Sequence, residues 1–278
     1  MTPPAPALSP GMVRLQAILT SRNCGILDVT EALALDERLS DYVLHVAHAQ
    51  RVRGDPPVRT ISQAVCVLGL SSLGMIAMRG AAMLAFEKAK SCAGFSVEDF
   101  WRHSILSAQV AHEMAGRMSA RVCALAADQV YACVLLHDIG QLALLIEIGA
   151  PYADLRCRLE PGHDDTRLED ERLGRNHATS GAHVAAAWGL PEPVPAEIRL
   201  HHVPHRTDGT AELARLIQCS DLIAHAIAAP MGRSAAEIMR EIAEPPQTLS
   251  SAALVEVVTA ATKWYAKVDD LLIAPRAA

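Results

Sequence analysis

Apolar residues recur at three- and four-residue intervals along most of the chain, and no segment alternates apolar and polar residues over the length of a strand. A short helix is predicted over residues 12–19 and a second over 36–51, where Leu39, Val43, Val46 and Ala47 fall at near-helical spacing. The run Gly54-Asp55-Pro56-Pro57 then breaks the chain. Two helices follow around Gly69, over 60–68 and 71–88. Ser96, with Asp99 three residues later, opens a helix reaching about Met118. Residues 126–148 read as a long, mostly buried helix with a break near Gly140, and the polar stretch 156–175 as a loop with a short helix. Asn176 caps a helix that stops at Trp188-Gly189-Leu190-Pro191, since Gly tolerates the left-handed conformation and Pro cannot continue a helix. Further helices are predicted over 195–202, 209–229, 234–242 and 250–272. The expected fold is all-α, and no fixed-period repeat points to a solenoid.

Composition narrows the class. Of 278 residues, 51% are hydrophobic and 20% charged, which supplies a core and excludes a disordered chain. The 25 basic residues against 31 acidic give a formal charge of −6 with no long basic run, so general nucleic-acid binding is not expected. The N-terminal sequence MTPPAPALSPGM has no cationic segment leading into a long apolar one, the pattern of a secretory signal. The most apolar stretch, 130–148, is interrupted by His137, Asp138, Gln141 and Glu147, which argues against a bilayer span. A soluble, cytoplasmic protein without membrane association is expected. Seven scattered cysteines without a Cys-x-x-Cys pair fit small buried hydrophobes in a reducing compartment.

The candidate chemistry lies in histidines and acids. Among twelve histidines, His137 stands beside Asp138 inside the apolar run Val134-Leu135-Leu136-His137-Asp138-Ile139-Gly140. Two ionisable groups in such a run need partners. A divalent cation is one solution, because neutral imidazole and carboxylate ligate Zn, Fe and Mn; a buried His–Asp hydrogen bond or a helix-end cap is another. His201 and His202 project about 100° apart on a helix, which suits two nearby ions, one ion and a substrate, or a surface at a helix end. His103, His177 and Asp221 carry no signal singly. His45, His48, His112, His183 and His225 read as surface or core-edge histidines, His163 and His205 as loop residues, and Trp101 and Trp188 as core anchors.

In order, however, the chain presents Phe100-Trp101-Arg102-His103-Ser104, His137-Asp138-Ile139-Gly140, His177-Ala178-Thr179-Ser180-Gly181-Ala182, Trp188-Gly189-Leu190-Pro191, His201-His202 and Asp221. This pattern resembles the HD superfamily of helical metal-dependent phosphohydrolases, and more closely its signalling branch, the HD-related output domain (HDOD) family. Asp36-Glu37-Arg38-Leu39-Ser40 with Val43-Leu44 and Ala47, and Ile61-Ser62-Gln63-Ala64-Val65 with Leu68-Gly69, look like that family's N-terminal helices. The resemblance runs from about Met12 to Ala229. It implies that His103, His137, Asp138 and Asp221 match the superfamily's metal-ligand positions. It further implies that His177, His201 and His202 match the additional histidines of its two-metal branch, the HD-GYP cyclic-dinucleotide phosphodiesterases. One or two ions of Fe, Mn or Zn, and no other cofactor, are expected on that basis.

The chain also departs from the enzymes it resembles. Gln141 stands where the HD-GYP phosphodiesterases carry Lys, a neutral group for contacting a bound ligand in place of a cation. No Gly-Tyr-Pro motif follows it, and His48 occupies the place of the HDOD family's usual Asn. Residues 1–10, rich in Pro and Ala, read as a flexible arm; the resemblance implies an N-terminal helical lobe over 11–95 and an HD-like lobe carrying the site over 96–230, with a helical extension expected over 231–278. The expected function is a stand-alone signal-transduction module of bacterial type without efficient hydrolysis. Its signal would pass through an unidentified signalling protein, a small nucleotide ligand or oligomerisation. The alternative is a metal-dependent phosphohydrolase acting on a nucleotide or cyclic dinucleotide.

Overall fold

The computed structural model describes residues 5–19, 25–50, 56–118, 125–158, 165–203, 210–229, 233–242 and 245–272. Among them the regular structure is helical, with no strand and one isolated antiparallel bridge between Cys92 and Phe95. The all-α expectation holds.

The chain divides into two compact units. One runs over Pro6–Glu87 and takes in the segment from Asp269. It contains α1 (Pro10–Leu19), α2 (Ile26–Leu33), α3 (Glu37–Ala49), α4 (Ile61–Leu68) and α5 (Leu70–Ala85). Asp36 caps α3 by accepting from Leu39 N at 3.0 Å, and Thr60 with Gln63 forms a capping box on α4. Helix α2 lies outside the predicted elements; Asp28 reaches back to Gly25 N, and Val29, Ala32 and Leu33 are buried along one side. Tyr42 of α3 is buried, its hydroxyl donating to Leu271 O at 3.0 Å and accepting from Arg79 Nε.

The other unit, Lys88–Val268, holds α6 (Val97–Ala115), α7 (Ala127–Leu135), α8 (Ile139–Ile148), α9 (Ala150–Cys157), α10 (Asp165–Leu173), α11 (His177–Ala187), α12 (Val194–Leu200), α13 (Ala211–Ala228), α14 (Ala235–Glu241) and α15 (Ser251–Tyr265). A short 3-10 turn, Val268–Leu271, follows. Helices α7, α13 and α15 all pack on α6, while α11 packs on α8 and α12. The turn before α6 belongs to this unit because Phe95 stacks on Phe100 and faces Tyr152, with ring centroids 6.2 and 6.3 Å away. Residues 251–265 enter the same unit through the contact of α15 with α6.

The apolar run 126–148 forms two helices, and the chain turns at Leu136–Asp138, upstream of the break expected near Gly140. By length and composition Ala127–Ile148 is apolar enough to cross a membrane, and 72% of its apolar window is buried within the structure. Packing of α7 on α6 and α12 and of α8 on α11 accounts for that apolarity. Cys133 and Cys219 are buried, but Cys66, Cys92 and Cys157 are exposed, a correction to the expectation that all the cysteines are core residues. Cys66 sits among the outward residues of α4, where Ala64, Val65 and Leu68 take the buried side. Cys24 and Cys123 lie outside the described residues.

Candidate metal centre

Several elements of the Lys88–Val268 unit bring imidazoles and carboxylates to one place. His103 comes from α6, whose start is fixed by Ser96 Oγ accepting from Asp99 N at 3.1 Å. His137 and Asp138 occupy the turn between α7 and α8. His177 is the first residue of α11, placed by the Asn176 cap, whose Oδ1 accepts from Thr179 N at 2.8 Å. His201 and His202 follow α12, and Asp221 and His225 stand one turn apart on α13. The approach of α8 to α11 requires a glycine. A Cβ on Gly140 would lie 1.9 Å from His177 O and 2.6 Å from Gly181 N, so only glycine lets the Asp138 turn meet the start of α11.

Three histidines turn Nε2 toward Asp138. His137 Nδ1 donates to Val134 O at 2.7 Å and His201 Nδ1 to Ile198 O at 2.6 Å. A carbonyl only accepts, so the proton sits on Nδ1 and Nε2 is left for the cluster. His177 Nδ1 donates to Glu169 Oε2 at 2.7 Å. The three Nε2 atoms each lie 3.3 Å from Asp138, His137 from Oδ2 and the other two from Oδ1. His202 Nε2 stands 2.9 Å from His177 Nε2. Glu169 is fully buried, and it is satisfied there by His177 N at 2.7 Å and the Tyr152 hydroxyl at 3.1 Å, besides His177 Nδ1.

The cluster continues outward through Asp221. Its Oδ1 lies 3.0 Å from His103 Nε2, 3.2 Å from His225 Nδ1 and 3.6 Å from His137 Nε2. Ligand atoms come within 4.8 Å of one another in three overlapping groups: Asp138, His177, His201 and His202; His103, His137 and Asp138; and His103, Asp221 and His225. Nitrogen and oxygen donors of this kind suit Zn, Fe and Mn. His201 Nε2 is buried without a hydrogen-bond partner among the described residues, an orphan that a cation would satisfy. On both counts the cluster fits a divalent cation.

Burial opposes charge throughout the site, and the neighbours decide the outcome. At Asp138 the facing His137 and His177 overcome burial and hold the carboxyl well below its usual range; His103, His137 and His225 do the same for Asp221. Burial prevails at His103 and His201, lowering both, and with His201 and His177 close by it takes His202 to about 3. At His137 the carboxylates of Asp138 and Asp221 outweigh burial and raise the imidazole well above its usual value. Asp138 and Glu169 likewise outweigh burial at His177 and raise it to about 9, and the hydrogen bond to Asp221 raises His225 to about 9. Near neutral pH the protein alone therefore balances ionised Asp138 and Asp221 against protonated His137, His177 and His225.

The structure thus brings together His103, His137, Asp138, His177, His201, His202 and Asp221. Gln141 is buried on α8, and among the described residues its side chain makes no hydrogen bond to the cluster. Sequence reasoning missed two members. Glu169 gives no signal in a polar segment. His225 is exposed, as the surface reading has it, and it also faces Asp221 and lies over His103, ring centroids 4.1 Å apart; its spacing of four residues from Asp221 is the available sign. His48 and His183 are exposed, His45 and His112 half-buried, and Trp101 and Trp188 buried; His163 and His205 lie outside the described residues.

Comparison with known proteins agrees with the fold. A family model for the HDOD domain matches residues 5–204. An uncharacterised protein of Treponema pallidum (strain Nichols) is 26% identical over 212 residues, which cover 72% of this chain and 38% of that protein. The chain therefore spans well under half of that relative's length. Among solved structures, a candidate phosphohydrolase from Shewanella amazonensis SB2B superposes with a TM-score of 0.73 at 24% identity, covering 96% of this chain and 93% of that one. An HDOD domain protein from Geobacter sulfurreducens gives 0.72 at 20% identity, over 97% and 94% of the two chains. A candidate signal transduction protein from Marinobacter aquaeolei VT8 gives 0.75 at 22%, covering 96% of this chain and 58% of that one.

Proposed function

The chain belongs to the HDOD domain family, and from that premise we propose that it is a bacterial cytoplasmic signal-transduction module whose His/Asp cluster holds one or two divalent cations, drawn from Fe, Mn or Zn. It acts through a partner protein or a small nucleotide ligand, without efficient hydrolysis. The observation that carries this reading is the preorganised inner group. Three Nε2 atoms surround Asp138 at 3.3 Å, and each ring is fixed by an acceptor on its Nδ1 side. Partners of that kind fix the tautomer and aim of metal-ligating histidines.

When bound, a divalent cation supplies fixed positive charge and Lewis acidity for an anionic ligand. The chain's own residues divide the remaining work. Glu169 orients His177, the Val134 and Ile198 carbonyls orient His137 and His201, and Asp138 belongs to both of the deeper groups. Asp221, His202 and His225 are reached by solvent and form the side on which a ligand approaches. Gln141 offers no charge to such a ligand, which favours recognition over turnover.

The phosphohydrolase reading draws on one observation, the membership of Asp138 in two ligand groups, since two cations held there would supply charge for displacement at phosphorus. Protein purified without chelator and analysed for metals, then assayed with cyclic dinucleotides and nucleotides beside Gln141→Lys and His137→Ala, separates the two. The expected result is bound metal in the wild type, less in His137→Ala, and no appreciable turnover. Strong wild-type turnover that vanishes in His137→Ala would make the protein a phosphohydrolase. A wild type that neither contains nor takes up a cation would remove the metal reading altogether.

A further inference from the structure

Helix α13 carries a histidine outside the seven positions implied by the HD resemblance. Asp221 and His225 stand four residues apart on one helical face, the spacing at which two side chains chelate from a single helix. His103 reaches them from α6, which packs against α13. Asp221 Oδ1 lies 3.0 Å from His103 Nε2 and 3.2 Å from His225 Nδ1, and ligand atoms of all three side chains fall within 4.8 Å of one another. Side-chain exposure rises from 15% at His103 through 37% at Asp221 to 66% at His225, whereas Asp138 is 13% exposed. The trio is thus the solvent edge of the cluster. In composition it is two imidazoles and a carboxylate, with open positions facing water, a set that suits Zn(II) or Fe(II).

Resting on the cation-binding reading above, we propose that His225 is a protein ligand of an outer divalent cation held with His103 and Asp221, and that this cation exchanges with solvent independently of the one held by Asp138, His177, His201 and His202. His103 joins the outer group to the deeper one through the group it forms with His137 and Asp138. His225 Nδ1 also donates to Asp221 O at 3.1 Å, a contact that ligation through this atom would replace. Because three protein ligands leave the outer coordination incomplete, the open positions take water or an oxygen of an anionic ligand. The inner cation, held by the buried His177 and His201 as well as by the solvent-reached His202, is the more slowly exchanging one.

The test is a Zn2+ titration of chelator-stripped full-length protein by calorimetry, repeated with Co2+ and followed by visible absorption. The wild type is expected to bind two equivalents of differing affinity. His225→Ala is expected to weaken one of them by about ten-fold or more and leave the other unchanged, while His201→Ala is expected to impair the other. His225→Asn keeps an N–H donor for Asp221 but no imidazole, and is expected to behave as His225→Ala. Wild-type affinity for both equivalents in His225→Ala would overturn the assignment. So would wild-type affinity in His225→Asn, since the ring would then only hold Asp221 in place. A single equivalent in the wild type overturns the outer cation while leaving the metal reading intact; no equivalent overturns both.

Discussion

Gly140→Ala probes the contact on which the whole centre depends. The added methyl would lie 1.9 Å from His177 O and 2.6 Å from Gly181 N, both backbone atoms that no rotamer change can move aside. Restoring an ordinary carbon–oxygen separation means parting α8 from the start of α11 by about 1.5 Å. Overpacking of a dense interior costs about 1–3 kcal/mol, and a clash with backbone on both sides belongs at the upper end. At about 2–4 °C per kcal/mol for a chain of this size, the melting temperature should fall by roughly 6–12 °C. The same displacement carries His177 Nε2 away from Asp138 Oδ1, now at 3.3 Å, so divalent-cation affinity should drop about 10–100-fold. Gly181→Ala is the graded control. Its nearest contacts would be Ile198 Cγ2 at 3.1 Å and Gly140 N at 3.2 Å, the first of which can yield, and its cost should stay near about 1 kcal/mol. Thermal melting and calorimetric titration read both effects. A Gly140→Ala protein that melts within about 2 °C of the wild type and binds the cation equally well would refute the reasoning.

Three further outcomes follow from the same geometry. Glu169→Gln should lower the His177 pKa, visible in the imidazole NMR titration, and destabilise the fold by about 1–3 kcal/mol because it weakens a buried charged hydrogen-bond network; an unmoved titration would show that Glu169 does not set the state of His177. In chelated protein, the stability contributed by His177 and His225, raised from 6.5 to about 9, is fully present below pH 6.5 and is lost as pH rises through 9. His202, lowered to about 3, acts with the opposite sign: it withdraws stability as pH falls below 6.5 toward 3. Melting should therefore peak near pH 6.5, and a flat profile from pH 6.5 to 9 would contradict these assignments. Asp138→Asn should sharply reduce the rise in melting temperature that Zn2+ gives the wild type, leaving only what the outer group contributes; an undiminished rise would place the inner cation elsewhere.

Much of the fold is legible because helix ends carry local chemistry. Asp36, Thr60, Ser96, Asn176, Ser234 and Ser250 each cap a helix through a side chain that accepts from a backbone amide three residues on. The turn at Leu136–Asp138 escaped that reading, since the apolar pattern runs across it without interruption and the turn serves a tertiary need: seating Gly140 against His177. Helix α2 escapes it because Gly25 at its start has no side chain to cap with, although Val29, Ala32 and Leu33 are buried. At the site, the His137-Asp138 pair stood out because two ionisable groups in an apolar run demand partners. Glu169 did not, because its partner lies across the turn between α10 and α11 and it is the one buried residue of an otherwise solvent-facing polar helix. His225 was read singly, when its meaning lay in its distance from Asp221 along the helix and from His103 across it.

Protons and a cation compete for the same nitrogens here, and that competition can be measured. With Nδ1 of His137 and of His177 committed to Val134 O and Glu169, the proton that makes either ring an imidazolium sits on Nε2, the atom that faces Asp138. A cation bound at Asp138 must displace it. His177 titrates at about 9, so displacing its proton at pH 7 costs roughly 2.7 kcal/mol, and affinity should rise about ten-fold per pH unit for each such proton until its pKa is reached. His201, lowered by burial, contributes no proton. Binding to the inner group at pH 7 should thus release about one proton from His177, and a cation that also engages His137 should release a second. Zn2+ titrations in two buffers of different ionisation enthalpy give the number directly. His177→Ala should remove one proton from the count and flatten the pH dependence, whatever affinity remains. Binding with no proton release at pH 7 would mean that His177 is neutral in the free protein, and that the Asp138 carboxylate is balanced by some group other than that imidazole.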